Sequence, residues 1–160
     1  MNSRLKILWL GGNHLRHLYF ANVIQEKYLL EGAVIEQREN SLPTPPIAIS
    51  EHDKTNFITH FKERERAEKH YFGIQDYPRC SILEVSEAEL NTERTVQFVK
   101  EINPDIVLIF GTGMVKKPLI NSLPKNTINL HLGLSPRYRG SATLFWPFYF
   151  IEPNYAGTTF

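Results

Sequence analysis

The chain has 160 residues, 42% of them hydrophobic and 22% charged, with 18 basic against 17 acidic residues for a net charge of +1. That is the length and composition of one globular domain or a large part of one, and it excludes a disordered chain, a collagen-like repeat and a disulfide-stapled miniprotein. The charge balance supplies no general drive toward nucleic acid or an anionic membrane, and the single cysteine, Cys80, allows no internal disulfide, so a reducing, cytoplasmic setting is expected.

Leu5 to Leu10 is a short apolar run closed by Gly11-Gly12, which reads as a buried strand and a tight turn. It is too short for a signal peptide. His14 to Leu30 has helical spacing, with Leu15, Leu18, Tyr19, Val23 and Leu30 on one broad face and Gly32 as a stop signal. Ala33 to Gln37 is a second strand, so the opening is a βαβ unit with parallel strands. Ser41 to Ser50, with Pro43, Pro45 and Pro46, reads as a loop. Asp53 to near Phe72 is a charged helix. In it acids alternate with bases from Lys62 to Lys69, the pattern of a solvated, self-paired face and not of a nucleic-acid surface.

Cys80 to Val85 is a third strand. Ser86-Glu87-Ala88-Glu89 has capping-box spacing, and a helix with Val96, Val99 and Ile102 inward is expected after it. Asn103-Pro104-Asp105 breaks that helix. Ile106 to Phe110 is apolar throughout, as in a central parallel strand, and Gly111-Thr112-Gly113 turns the chain out of it. Met114 to Leu123 is a short helix or helical turn, and Thr127 to Leu132 another strand. A loop from Gly133 to Gly140 follows, then an aromatic helix from Ser141 to Phe150. Leu144 to Ile151 falls far short of the roughly 20 apolar residues a bilayer span needs. Gly157-Thr158-Thr159-Phe160 reads as the opening of one more strand, so Phe160 looks like a cut. The expectation is a doubly wound, Rossmann-like α/β domain over 1–160, its sheet mainly parallel and unfinished at the C-terminal end. The apolar edge left there is compatible with a homodimer.

Asn129-Leu130-His131 concentrates the chemistry. On a strand Asn129 and His131 share one face, at the C-terminal end where open α/β sheets place ligands. An amide NH₂ beside an imidazole suits oxyanion stabilisation and proton transfer; the same pair equally suits a hydrogen-bonded core contact that anchors the next loop. Other motifs are weaker. Gly111-Thr112-Gly113-Met114-Val115-Lys116 starts like a dinucleotide fingerprint, but Lys116 replaces its last Gly. Gly133-Leu134-Ser135-Pro136-Arg137 fails as a nucleophile elbow, because Arg137 replaces the final Gly and Pro136 lacks an N–H. No Walker-type loop is found. His14, His17, His52, His60 and His70 lack metal-like spacing and read as surface or capping residues, with His14 retaining interest beside the Gly12-Asn13 turn. Cys80 reads as a small buried hydrophobe, and Trp9 and Trp146 as core.

The segment Asn129-Leu130-His131-Leu132-Gly133-Leu134-Ser135-Pro136-Arg137-Tyr138-Arg139-Gly140 resembles the central signature of the 10-formyltetrahydrofolate-dependent formyltransferases, with its Asn-x-His, Leu/Ser/Pro loop, aromatic, basic residue and Gly. The opening strand with Gly11-Gly12-Asn13, the strand Ile106 to Phe110 with its Gly turn, and Gly157-Thr158-Thr159 stand in the order of that superfamily. The resemblance implies transfer of a formyl group from 10-formyltetrahydrofolate to a primary amine. It implies that Asn129 holds the formyl oxygen and that His131 assists the oxyanion and the proton movements. It implies that the backbone of Gly111, Thr112, Gly113, Met114 and Val115 cradles the folate pterin, and that Gly12 and Asn13 help bind the amine substrate. Arg137 and Arg139 are the basic candidates for an anionic substrate. No metal is implied.

The sequence departs from the pattern in three places. The superfamily's catalytic Asp falls past Phe160, so the 160-residue chain alone is expected to be weak or inactive. Leu132 stands where Pro is common, and Gly133-Leu134-Ser135-Pro136 where Ser-Leu-Leu-Pro is common. These loop departures bear on the acceptor, for which a nucleotide-linked amino sugar is the expectation. Formyltetrahydrofolate hydrolysis, a non-catalytic folate- or nucleotide-binding module and a merely dimerising fragment are the alternatives.

Overall fold

The computed structural model describes residues 4–38, 42–140 and 142–160. Its sheet is built outward from β1 (Ile7–Gly12), which is buried along its whole length. β2 (Leu30–Glu36) pairs with one edge of β1 and β4 (Ile106–Phe110) with the other, both in parallel. β3 (Ser81–Val85) and β5 (Thr127–Asn129) extend the sheet to five strands in the order β3-β2-β1-β4-β5. Strands buried on both faces carry apolar residues at consecutive positions, and β1 and β4 do so. Alternate side chains of β1 serve opposite layers. Leu8 and Leu10 pack with Val34, Val107, Ile109, Val96 and Val99, whereas Ile7 and Trp9 pack with Leu18, Ala21, Ala33 and Phe110. The helices that cover these layers are α1 (Leu15–Tyr28) on one side, and α3 (Glu93–Ile102) and the single turn α4 (Leu119–Ser122) on the other. The expected doubly wound α/β fold is therefore present.

α2 (Glu51–Phe72) buries no residue completely. Its Ser50 cap accepts a hydrogen bond from the Asp53 N–H, and it leans on α1 through the Arg16–Glu68 ion pair and the Tyr19–Phe72 ring contact. Glu63–Arg66 and Glu65–Lys69 pair along its solvated face, as the alternating charges predict. None of the helices among the described residues is long and apolar enough to cross a membrane.

Several boundaries differ from the sequence reading. Gly11 and Gly12 are strand residues, because Gly11 is paired on both edges of β1 and Gly12 on the β2 edge, and the turn begins at Asn13. α1 stops at Tyr28 and not at Leu30. Leu29 takes φ 62°, and the Gln25 side chain accepts the Leu30 N–H as β2 starts, so Gly32 lies inside a strand. The Ser86/Glu89 box closes on itself and shapes a turn, while α3 starts only after Thr92. β5 ends at Asn129, and the chain end contributes an antiparallel bridge between Thr159 and His131. The aromatic helix is confined to α5 (Phe145–Tyr149). Ser41 and Ser141, the first residues of the expected proline-rich loop and aromatic helix, lie outside the described residues. Trp146 is not core but exposed, with Phe145, Phe148, Tyr149 and Phe150 around it.

This packing gives a stability prediction. Leu8→Ala, in the fully buried centre of the sheet, lowers the unfolding free energy by about 2–5 kcal/mol. Ile74→Ser, at a position 90% exposed, changes it by no more than about 0.5 kcal/mol. Urea unfolding of both variants measures the contrast.

Candidate active site

The strand order reverses between β1 and β4, which puts a crevice beyond their C-terminal ends. Such crevices are where open α/β sheets bind ligands. Gly11 pairs with Phe110, so Gly12 and Gly111 leave the sheet side by side. The His17 ring of α1 lies against both. A Cβ on Gly111 would sit 2.1 Å from His17 Nε2, and one on Gly12 would sit 2.6 Å from Nδ1. Gly111 also takes φ +74°, a conformation that side chains with a Cβ rarely adopt. Both positions therefore require glycine, because the His17 ring takes the space a Cβ would need.

His17 is 3% exposed, stacks on His14, and meets Phe110 edge-on at 4.7 Å. The sequence reading of His14 and His17 as surface or capping residues is corrected here: both are buried, and the His14 side chain makes no capping bond. Burial, with the nearby charges of Arg16, His14 and Arg38, lowers the His17 pKa to about 2. Its Nδ1 has no hydrogen-bond partner.

The two loops flanking the crevice are tied down by Asn13, a substrate-binding candidate of the sequence whose side chain is engaged within the chain, and by Glu36 and Asn91, which the sequence did not single out. The Asn13 N–H donates to the Glu36 carbonyl, Asn13 Oδ1 accepts the Arg38 N–H, and Asn13 Nδ2 donates to Gln37 Oε1 at 2.7 Å. On the other side Gly113 N–H donates to Glu36 Oε2 at 2.6 Å. Asn91 grips the same loop in peptide fashion, donating to the Met114 carbonyl and accepting the Lys116 N–H. Among the described residues the N–H groups of Thr112, Met114 and Val115 make no hydrogen bond, and Met114 is exposed. Glu36 and Asn91 act over long sequence separations, and the one local signal was a carboxylate closing an apolar strand.

Asn129 ends β5 in register with Ile109. Its side chain is exposed and has no hydrogen-bond partner among the described residues. Leu130 and Leu132 pack toward the α1 layer, so alternation turns Asn129 and His131 to the opposite side. His131 is half-buried, and its Nε2 stands 3.1 Å from the Tyr138 carbonyl. A carbonyl only accepts, so Nε2 carries the proton and Nδ1 of the neutral ring is left as the acceptor. The loop after it is held by Thr143 Oγ1 on the Leu132 carbonyl and Thr159 Oγ1 on the Gly133 carbonyl. Arg137 is engaged within the chain. It forms a two-point pair with Glu152 and lies over the Tyr155 ring at 4.5 Å. The hydrogen bond from Tyr138, then that from Arg137, holds the Glu152 carboxyl below its ordinary pKa. Arg139 is exposed. Asn129 and the Gly111–Val115 loop thus leave adjacent strands, with Gly12-Asn13 on the next strand over. No group of three or more metal-ligating side chains is found among the described residues.

Scanned against family models, the chain matches none. Among curated proteins it is similar to methionyl-tRNA formyltransferases. That of Clostridium botulinum (strain Alaska E43 / Type E3) is 37% identical over 65 residues, which is 40% of this chain and 21% of the relative. That of Trichlorobacter lovleyi is 30% identical over 59 residues, 36% and 19% of the two chains. The matched stretch thus spans about a fifth of these relatives. Among solved structures, phosphoribosylglycinamide formyltransferase from Anaplasma phagocytophilum superposes with a TM-score of 0.55 at 13% identity, over 92% of this chain and 59% of that one. A formyltetrahydrofolate deformylase from Pseudomonas syringae pv. tomato does so with a TM-score of 0.52 at 8% identity, over 92% and 42%. At these identities the structural likeness shows a shared fold. Together with the sequence relatives it bears out the resemblance to the formyltransferase superfamily.

His17 yields a prediction with a definite sign. Its folded-state pKa of about 2 lies below the ordinary 6.5, so below pH 6.5 the unfolded chain takes up a proton that the folded chain refuses. Stability from this residue is complete above that pH and falls by about 1.4 kcal/mol per pH unit beneath it. Between pH 7 and pH 5 the wild type loses about 2 kcal/mol more than a His17→Leu variant, read from urea unfolding at both pH values.

Proposed function

We propose that this chain carries the folate-binding and oxyanion-stabilising part of an N-formyltransferase that moves a formyl group from 10-formyltetrahydrofolate to a primary amine. The observation that carries the reading is the pairing of an exposed Asn129 amide with a His131 ring whose tautomer is fixed by the Tyr138 carbonyl, on the strand beside the Gly111–Val115 loop. On this reading the pterin lies along that loop and uses its unpaired N–H groups. The amine nitrogen attacks the formyl carbon, and Asn129 Nδ2 donates to the developing oxyanion. His131 Nδ1 relays the proton that the amine loses to the departing folate nitrogen, and the C–N bond to folate breaks. The resemblance implies a third catalytic group, an Asp, downstream of the strand that Gly157-Thr158-Thr159 opens, so turnover is assayed with that loop present.

Transfer is favoured over hydrolysis because the sequence relatives with 30–37% identity are named transferases, whereas the deformylase shares 8% identity and a fold. For the acceptor we propose a nucleotide-linked amino sugar, on the departures at Leu132 and Gly133-Leu134-Ser135-Pro136. With Arg137 committed to Glu152, Arg139 is the loop cation open to an anionic acceptor.

The test is formyl transfer with 10-formyltetrahydrofolate in a chain extended through the downstream loop. Asn129→Ala is expected to lower turnover by about 10²–10³ with folate affinity nearly kept. Full turnover in that variant contradicts the assignment. Amino-sugar nucleotides and methionyl-tRNA, offered in parallel, identify the acceptor, and formate release without formylated amine would indicate hydrolysis instead.

A further inference from the structure

Glu36 is a carboxylate with 0% exposure at the end of β2. An ion buried this deeply costs several kcal/mol unless its oxygens are matched, and both are. Oε2 accepts the Gly113 N–H at 2.6 Å and Oε1 accepts from Arg38 Nη1 at 3.0 Å. The backbone of the same short segment holds the other loop. The Glu36 carbonyl accepts the Asn13 N–H, and the Arg38 N–H donates to Asn13 Oδ1. One end of β2 therefore reaches across β1 and bonds to both loops that bracket the crevice, and Glu36 contributes to each.

The geometry points to Glu36 as a positioning residue that sets the Gly111–Val115 loop against the Gly12-Asn13 turn, with Arg38 holding its carboxylate in place. This role rests on the folate reading above and goes beyond it, because Glu36 acts on folate through Gly113 and not by contact. A residue that merely fills the core would not need an acceptor at this position. A positioning residue does, because the Gly113 amide plane fixes which way the neighbouring N–H groups point.

The test compares double variants that both remove the buried charge. Glu36→Gln with Arg38→Met keeps a carbonyl oxygen for Gly113 and no longer sets a side-chain amide against a guanidinium. Glu36→Met with Arg38→Met keeps the packing and supplies no acceptor. Both variants remove the buried charge and keep side chains of similar size, and unchanged exchange of the β1 and β4 core amides shows that each folds. Amide hydrogen exchange at Gly113 is expected to be close to wild type in the Gln variant and about tenfold faster in the Met variant, with the core amides of β1 and β4 unchanged in both. Affinity for 5-formyltetrahydrofolate is expected to follow, falling about tenfold in the Met variant alone. Equal Gly113 exchange in the two variants overturns the proposal. So does equal folate affinity where the wild type binds. A wild type that binds no folate overturns the proposed function as well, which separates that failure from failure of Glu36 alone.

Discussion

Parallel pairing on both edges of β1 is the constraint from which the rest of the molecule follows. A strand paired by β2 on one side and β4 on the other has no free edge, and the helix layers on its two faces leave it no solvent face, so Ile7 to Leu10 must be apolar on both sides. The two layers packed on it consume the best hydrophobic residues of the chain. The same pairing brings the ends of β1 and β4 together, with the His17 ring against both glycines and the Arg38 side chain beside Gly12. The crevice is thus a product of topology, and side chains make it specific.

That division explains where polar groups are buried and where they are not. His17 and Glu36 lie at the ends of β1, β2 and β4, inside the structure, and each acts on backbone: His17 by shape against Gly12 and Gly111, Glu36 by accepting from Gly113. Asn129, His131 and Arg139 lie farther out, on β5 and the loop beyond it, with more access to solvent. A layered arrangement of this kind places rigid supports behind the glycine loops at the ends of β1 and β4. It suits a reaction that depends on orientation more than on a strongly perturbed nucleophile.

Much of the fold was legible where one local rule dominated. Ile106 to Phe110 is an unbroken apolar run between Asn103-Pro104-Asp105 and Gly111, and no helix fits there. The alternating charges from Lys62 to Lys69 likewise allow only a solvated helix. Reading failed where tertiary pairing overrode local preference. Gly11-Gly12 has turn chemistry, yet β2 along both residues and β4 at Gly11 hold it in the sheet. Leu30 continues the α1 pattern, yet Gln25 and β1 recruit it to β2. The candidate residues Asn129, His131 and Gly111–Val115 come from a local motif and a resemblance. The supports were not legible, because Glu36 meets Gly113 and Asn91 meets Met114 only after folding, and Arg137 finds Glu152 from a different segment. A buried histidine such as His17 gives no sequence signal that separates it from a surface one.

The central claim is that one crevice, bounded by the β4 loop and the end of β5, receives a reduced folate. The most direct measurement is an amide NMR titration of this chain with 5-formyltetrahydrofolate. The account predicts saturable shifts concentrated at Gly111–Val115 and Asn129–His131, with α2 amides unmoved. Shifts confined to α2 or to the exposed aromatic face of α5, or no shifts at millimolar folate, would contradict it.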